Sequence, residues 1–80
     1  MEDAKLVYVA IAMGSTELAR SESRKEACQA AIDWEVRNGH VHDFTWVDYE
    51  ATNRHQSLVW AIVDRRGNRP VEVYRLIDEA

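Results

Sequence analysis

Apolar residues along the chain fall into four short runs with strand character and one longer stretch with helical periodicity. The four runs are rich in β-branched and aromatic residues, which favour strands. They cover residues 5–13, 41–49, 57–64 and 71–78. The first run, KLVYVAIAM, is apolar at odd and even positions alike, which is typical of a strand buried on both faces. The polar segment 14–23 predicts a loop, with a short extra strand around Glu17–Arg20 as the alternative.

The longer stretch predicts a helix from Ser23 to Asn38. SRKE forms a capping box, in which the Ser23 hydroxyl accepts the amide proton of Glu26 and the Glu26 carboxylate reaches back. Gly39 is a favourable left-handed cap at the other end. One side of the helical wheel is apolar and rich in alanine, so the helix can lie close to a sheet. Its members are Ala27, Cys28, Ala30, Ala31, Ile32 and Trp34. We expect Glu35, at the edge of this side, to extend to solvent.

These elements predict a single α+β domain over residues 1–80 with the order β-α-β-β-β. Polar connections at 50–56 and 65–70 favour an antiparallel meander for the last three strands. A right-handed crossover through the helix would make the strand at 41–49 parallel to the first. The fold class is therefore a four-stranded, mostly antiparallel sheet with one amphipathic helix packed on one face.

Composition narrows the class of protein. Of the 80 residues, 46% are hydrophobic and 30% are charged, which is ordinary for a folded soluble domain. The net charge of −4 gives no overall attraction to nucleic acid or anionic lipid. Cys28 is the only cysteine, so no internal disulfide forms. The apolar run near the N-terminus is too short to span a bilayer and lacks a basic flank. We expect a cytoplasmic protein with no membrane partner, or one in a host cytoplasm if it is phage-encoded.

The histidines in GHVHDFTW are the first candidate for chemistry. If the hairpin centres near Asn53, His42 faces Asp64, and His40 lies on the same strand face. His55 lies in the hairpin loop, more than about 20 Å from His42, whereas metal–ligand bonds are about 2 Å long. The three histidines therefore cannot share a metal. A weak metal site at His40, His42 and Asp64 is kept as a second alternative, and we expect no functional metal.

No catalytic template fits the sequence. Cys28 belongs to the packing side of the helix, where a thiol is usually inert, and no histidine pattern accompanies it. The GSTE segment at Gly14 lacks the glycines and the lysine of a phosphate-binding loop. We expect no enzymatic activity and no cofactor.

An aromatic stripe is the stronger signal. Strand alternation places one apolar set on one sheet face, consisting of Phe44, Trp46, Leu58 and Trp60. It places a second apolar set on the other face, consisting of Val47, Val59, Ala61 and Val63. Tyr74 or Arg75 continues the first set, depending on register. One helix covers only one face, so apolar surface remains for a partner, with Trp46 and Trp60 as the expected anchors; the alternative is that Trp34 and the segment 14–22 complete the core. If Trp46 and Trp60 are both buried under the helix, Val47, Val59 and Tyr49 on the opposite face replace them.

Charge is expected to separate along the sheet. Arginines in the last hairpin would gather at one end with other basic groups, and acidic residues would gather at the opposite end. The basic set is Lys5, Arg37, His40, His42, Arg65, Arg66 and Arg69. The acidic set is Asp48, Glu50, Asp78 and Glu79. Binding of nucleic acid or another anion at the arginine hairpin is the alternative function, weakened by the acidic overall charge.

The function that these patterns favour is a small non-enzymatic protein-interaction module. Its size, the capped helix after an apolar strand and the Trp-bearing meander resemble those of small phage or mobile-element accessory proteins. Such viral proteins typically bind host proteins, in some cases as inhibitors. The partner is expected to be a host protein or a second copy in a dimer. The predicted binding residues are Phe44, Trp46, Tyr49, Trp60, Arg65, Arg66 and Arg69.

Overall fold

The computed structural model describes residues 5–38, 44–49 and 56–78, with backbone only for Phe44, Gln56 and Asp78. In order along the sequence the elements are β1 (Lys5–Ala12), β2 (Thr16–Ser21), α1 (Arg24–Arg37), β3 (Phe44–Asp48), β4 (Gln56–Asp64) and β5 (Val71–Asp78). The α+β class with one helix on one face of the sheet is confirmed. The predicted β-α-β-β-β order is wrong, because a further strand, β2, precedes the helix.

Over the described residues, the sheet has five strands in the order β2-β1-β5-β4-β3, and every neighbouring pair is antiparallel. β1 lies inside the sheet between β2 and β5, as its two apolar faces predict. β5 inserts between β1 and β4, so β3 becomes an edge strand that runs opposite to β1. The prediction that β3 is parallel to β1 is therefore wrong. The chain reaches the far edge through the helix and returns to the centre by a meander.

β2 forms because the chain reverses tightly after β1. Met13 and Gly14 both have positive φ, 54° and 78°, and the amide of Ser15 donates to the carbonyl of Ala12 at 3.2 Å. Positive φ is unusual for methionine, so of the two turn residues only Gly14 was a recognisable turn signal in the sequence. The pairing of β2 with β1 is interrupted by a bulge at Leu18, whose side chain packs against the core.

The helix has the predicted ends, Ser23 at the N-cap and Asn38 at the C-cap. Only half of the capping box forms. The Ser23 hydroxyl accepts from the Glu26 amide at 3.3 Å, but the Glu26 carboxylate accepts from the Ser21 hydroxyl at 2.6 Å. The Ser23 amide donates to that same Ser21 oxygen at 3.0 Å. The last residue of β2 thereby ties the strand to the first turn of the helix.

α1 lies over β1 and β2 and reaches only part of β5 and β4. We call the sheet side under it the helix face and the opposite side the outer face. Ala27 and Ala31 of the helix are fully buried, as are Ala10 and Ala12 of β1. Small side chains on both elements let the backbones approach closely, as the alanine content predicts. The rest of the buried core is Val59, Trp60, Ile62, Val71 and Val73. The expectation for Glu35 is wrong, because its residue is 1% exposed.

A bulge in β4 decides which residues face the helix. The register against β5 shifts between Leu58 and Trp60, so the two-residue alternation breaks there. Leu58 pairs with Tyr74 on the outer face, whereas Val59 packs in the core on the helix face. Strand alternation predicts the opposite face for each of them, and both predictions are wrong. Because of the same shift, Arg75 and not Tyr74 lies on the helix face, where it pairs with Ser57.

Candidate functional site

The most exposed apolar part of the sheet is β3. Trp46 pairs with Ile62 and Asp48 pairs with Trp60, so the two tryptophans share the helix face, as predicted. The register is displaced by two residues from the predicted one, which leaves each residue on its expected face. The two tryptophans nevertheless have different environments. Trp60 is 5% exposed in the core, whereas Trp46 is 58% exposed beyond the reach of the helix.

The other described side chains of β3 are exposed too. Val47, on the outer face, is 38% exposed, and Thr45 and Asp48 are also exposed. The side chain of Phe44, a predicted binding residue, lies outside the described part. β3 is thus a five-residue strand with apolar side chains open to solvent on both faces. This placement makes Trp46 the candidate anchor, since its indole combines a large apolar surface with a hydrogen-bond donor.

Within the described residues, the backbone of β3 also has groups on the side away from β4 that pair with no other strand. The Tyr49 amide donates to the Val59 carbonyl at 2.9 Å, so Tyr49 and Val59 form a hydrogen-bonded pair. In an antiparallel ladder such pairs alternate along the strand. Thr45 and Val47 therefore direct their N–H and C=O groups toward β4, whereas Trp46 and Asp48 direct theirs away from the sheet.

The two sheet edges differ in how open they are. β2 carries the bulge at Leu18, and Arg20 forms an ion pair with Glu17 at 2.8 Å. Bulges and charged side chains are the usual devices that keep an edge from pairing with another protein. β3 pairs with β4 over Phe44–Asp48 without a bulge. Of the described residues in that strand, Asp48 alone is charged. Among the residues that the structure describes, the β3 edge is therefore the open one.

A cleft of about 360 Å³ lies beside β3 on the helix face, at the N-terminus of α1. It is lined by Tyr8, Arg24, Asp48, Tyr49, Val59 and Arg75, and we call it the arginine cleft. Arg24 Nη2 forms an ion pair with Asp48 Oδ1 and donates to the Val59 carbonyl oxygen at 3.1 Å. The bulge carbonyl of Val59 thus holds the strand end and the arginine together. Sequence patterns did not point to Arg24, because a first-turn arginine is ordinary on a helix surface.

Cys28 lies one helical turn after Arg24 and is half-buried. Burial raises the pKa of its thiol, with smaller opposing influences from the Arg24 charge, which lowers it, and the Asp48 charge, which raises it. A thiol with a raised pKa is a poor nucleophile at neutral pH. Its position accords with the packing role predicted from the helical wheel.

Charged and aromatic side chains pack against one another over part of the outer face. Arg69 lies 6.0 Å from the centre of the Tyr49 ring, and its Nε is 3.5 Å from Glu72 Oε2. A side-chain hydrogen bond with Tyr49 and the charge of Glu72 raise the pKa of Arg69. Burial and the neighbouring Glu72 raise the pKa of Tyr74. Ala61 is completely buried on this face, although α1 lies on the opposite one.

The three arginines of the β4–β5 hairpin are not gathered at one place, as had been predicted from the sequence. Arg65 and Arg66 are exposed in the β4–β5 turn, but Arg69 is engaged on the outer face. Lys5 begins β1 and pairs with Asp78 at the end of β5, so it lies at the opposite end of the sheet. The prediction that Lys5 joins the hairpin arginines is wrong, because the strand order reverses its neighbours. Asp48 does lie at the end away from the hairpin, as predicted.

The structure does not place Asp64, the carboxylate of the hypothetical metal site, opposite His42. Asp64 pairs with Phe44 and not with His42. Its Oδ1 accepts the amides of Arg66 and Asn68, each at 2.9 Å, which shapes the turn around Gly67. His40, His42 and His55 lie outside the described residues. Within the described ranges, no three metal-ligating side chains come together.

Comparison with protein-family models, curated proteins and solved structures gave no significant match. In the described part of the protein, α1 is too short and too polar to cross a bilayer.

Proposed function

We propose that the protein is a non-enzymatic interaction module that binds another protein by strand addition at the open edge of β3. The observation that carries this proposal is the regular edge strand with exposed Trp46 and outward backbone groups at Trp46 and Asp48. An extended segment can bind such an edge through main-chain hydrogen bonds, while contacts from its side groups supply selectivity. Tryptophan is among the residues that most often dominate binding energy at protein interfaces.

The occupant that charge favours is an extended, neutral or basic segment of a different protein. The protein carries a net charge of −4, so two copies repel each other, whereas a basic partner is attracted. At the edge itself, Asp48 is 69% exposed at its side chain but pairs with Arg24, so the attraction comes from the net charge of the protein and not from this one carboxylate. The resemblance in size and pattern to phage and mobile-element accessory proteins makes a host protein the first partner to examine.

Selection of linear peptides from a displayed library tests the proposal even though the partner is unidentified. We expect the selected peptides to alternate apolar and polar residues and to carry basic side chains. Bound peptide should protect the Trp46 and Asp48 amides from hydrogen exchange, because these point away from β4. The Val47 amide should be protected with or without peptide.

Two substitutions at one position separate the side chain from the backbone. Trp46→Ala removes the indole and should weaken peptide binding at least ten-fold. Trp46→Pro removes the indole and the outward N–H, and it should weaken binding further without removing a β3–β4 hydrogen bond. Val36→Ala, at an exposed apolar residue of α1, is the matched control and should leave affinity unchanged.

The proposal fails if selected peptides bind equally well to the Trp46→Pro variant. It also fails if binding leaves the Trp46 and Asp48 amides unprotected. If these amides are protected in the isolated protein and sedimentation shows dimers, the occupant of the edge is a second copy instead.

A further inference from the structure

The outer face of the sheet is apolar across its three central strands. In an antiparallel sheet with one face in water, the residues on that face are usually polar, so apolar and polar positions alternate along each strand. β1, β5 and β4 depart from this rule, because most of their outer-face positions are apolar. These positions are Val7, Val9 and Ile11 of β1, Tyr74 and Leu76 of β5, and Leu58, Ala61 and Val63 of β4. The pattern is that of a sheet covered by a layer on each face.

The register brings these residues together in rows across the sheet. Val9 pairs with Tyr74, and Val7 pairs with Leu76, so the four side chains form two neighbouring rows. Val9 is 2% exposed between its larger neighbours Arg20 and Tyr74. Val7, Tyr74 and Leu76 are half-buried and keep part of their surface in water. A layer over the outer face would bury this remaining apolar surface.

The charged side chains described on the outer face balance one another. Each lies within 4.0 Å of a group of opposite sign, and the pairs are Arg20–Glu17, Arg69–Glu72 and Lys5–Glu22. These pairs carry no net charge, so the net charge of −4 comes from the rest of the chain. A face without net charge favours a neutral, apolar surface over a strongly charged partner.

The dimensions of the outer face match a second sheet better than a helix. Its five strands have five to nine residues each, so the face is about 24 Å wide and about 24 Å long. One helix with its side chains is about 10–12 Å wide and covers about half of that width. A second copy of the sheet covers all of it and buries about 600 Å² on each copy. The total of about 1,200 Å² reaches the range of specific, stable interfaces.

We propose that the protein forms a symmetric dimer in which the outer faces of two copies pack against each other. Val7, Tyr74 and Leu76 lie in the apolar part of this interface. Two sheets pack face to face about 10 Å apart with interdigitating side chains, and a two-fold axis uses the same surface of both copies. Repulsion between two chains of charge −4 is screened beyond about 8 Å at physiological salt and opposes this contact only in part. Face-to-face packing leaves the β3 edge free, so strand addition does not depend on it.

Sedimentation of the full chain from micromolar to millimolar concentration tests the proposal with two neighbouring substitutions. Val7→Lys places a charge on the outer face and should weaken self-association at least ten-fold. Leu6→Lys is the matched control, because Leu6 is the preceding residue of β1, faces the helix side and is 43% exposed. It should leave self-association unchanged. Circular dichroism of both variants reports whether they fold.

A measurement on the unsubstituted protein covers the case in which Val7→Lys does not fold. A soluble paramagnetic reagent broadens the methyl signals of side chains that it can reach. The methyl groups of Val7, Ile11 and Leu76 should be broadened at low protein concentration and protected at high concentration. Those of Val36, which is 53% exposed on α1, should be broadened at both.

Salt and the strand edge separate this interface from other contacts. Raising the salt concentration should strengthen the dimer several-fold, because it screens the repulsion between the two copies. Trp46→Pro should leave the dimer intact, since β3 lies at the sheet edge. A dimer weakened by salt or abolished by Trp46→Pro would overturn the proposal. A chain that stays monomeric at millimolar concentration would overturn it too, without affecting peptide binding at β3.

Discussion

Truncation of Trp46 and of Trp60 should have very different effects on stability, although both residues lie on the helix face. Trp60 is 5% exposed and packs in the core, so Trp60→Ala should lower the free energy of unfolding by about 3–5 kcal/mol. Trp46 is 58% exposed, and a tryptophan buries about 150–250 Å² when fully enclosed. At about 25 cal/mol per Å², loss of the shielded part costs about 1.5–2.5 kcal/mol.

Urea unfolding followed by far-ultraviolet circular dichroism measures both variants on the same scale. A domain of this length is stable by about 4–12 kcal/mol, so Trp60→Ala removes a large part of its stability. With a urea dependence of about 1 kcal/mol per molar, the two midpoints should differ by about 2 M. If Trp46→Ala destabilises as much as Trp60→Ala, Trp46 is part of the core. Its role as an exposed anchor would then be refuted.

Three further results are expected. Ser23→Ala should lower the free energy of unfolding by about 1 kcal/mol, measured by thermal melting, because the Glu26 amide loses its cap; an unchanged melting temperature would show that the cap contributes nothing. The raised pKa of Cys28 means less thiolate at any given pH, so its alkylation profile should lie at higher pH than that of free cysteine; a profile at lower pH would indicate an activated thiol. Band shifts at low salt should show no nucleic-acid complex, because the protein is acidic; a complex lost on Arg65→Glu with Arg66→Glu would revive the hairpin as an anion site.

The helix could be predicted closely from sequence because its signals are local. The capping residue Ser23 and the apolar face can both be recognised within one stretch of sequence. The observed caps are Ser23 and Asn38. The burial of Glu35 could not be predicted, because it depends on how far α1 lies over the sheet. A helix shifted by a few ångströms would have left that carboxylate at the rim.

The strand order of the sheet was harder to predict from sequence, because it is set by pairing between residues far apart in the chain. β2 was missed as a full strand since its turn uses Met13 at positive φ, where the usual signal is glycine or asparagine. The position of β5 between β1 and β4 places β3 at the edge, and nothing in the sequence of β3 specifies that.

For the candidate sites too, local sequence patterns predicted some features, and only the long-range strand pairing determined the others. Alternation placed Trp46 and Trp60 on one face, but only the strand order showed which of them is exposed. The bulge at Val59 moved Leu58 to the outer face and left the Val59 carbonyl bonded to Arg24. No local pattern predicts the resulting arginine cleft, because its lining comes from four strands and the helix.

The central claim is that β3 presents an open edge, and residue-resolved hydrogen exchange of the isolated protein tests it most directly. We predict slow exchange at the Thr45 and Val47 amides, which donate to β4, and fast exchange at the Trp46 and Asp48 amides, which face solvent. Alternating rates along four consecutive residues have no other simple cause in an antiparallel pair. Uniformly slow exchange across the strand in a monomer would show that the edge is already covered and would contradict the claim.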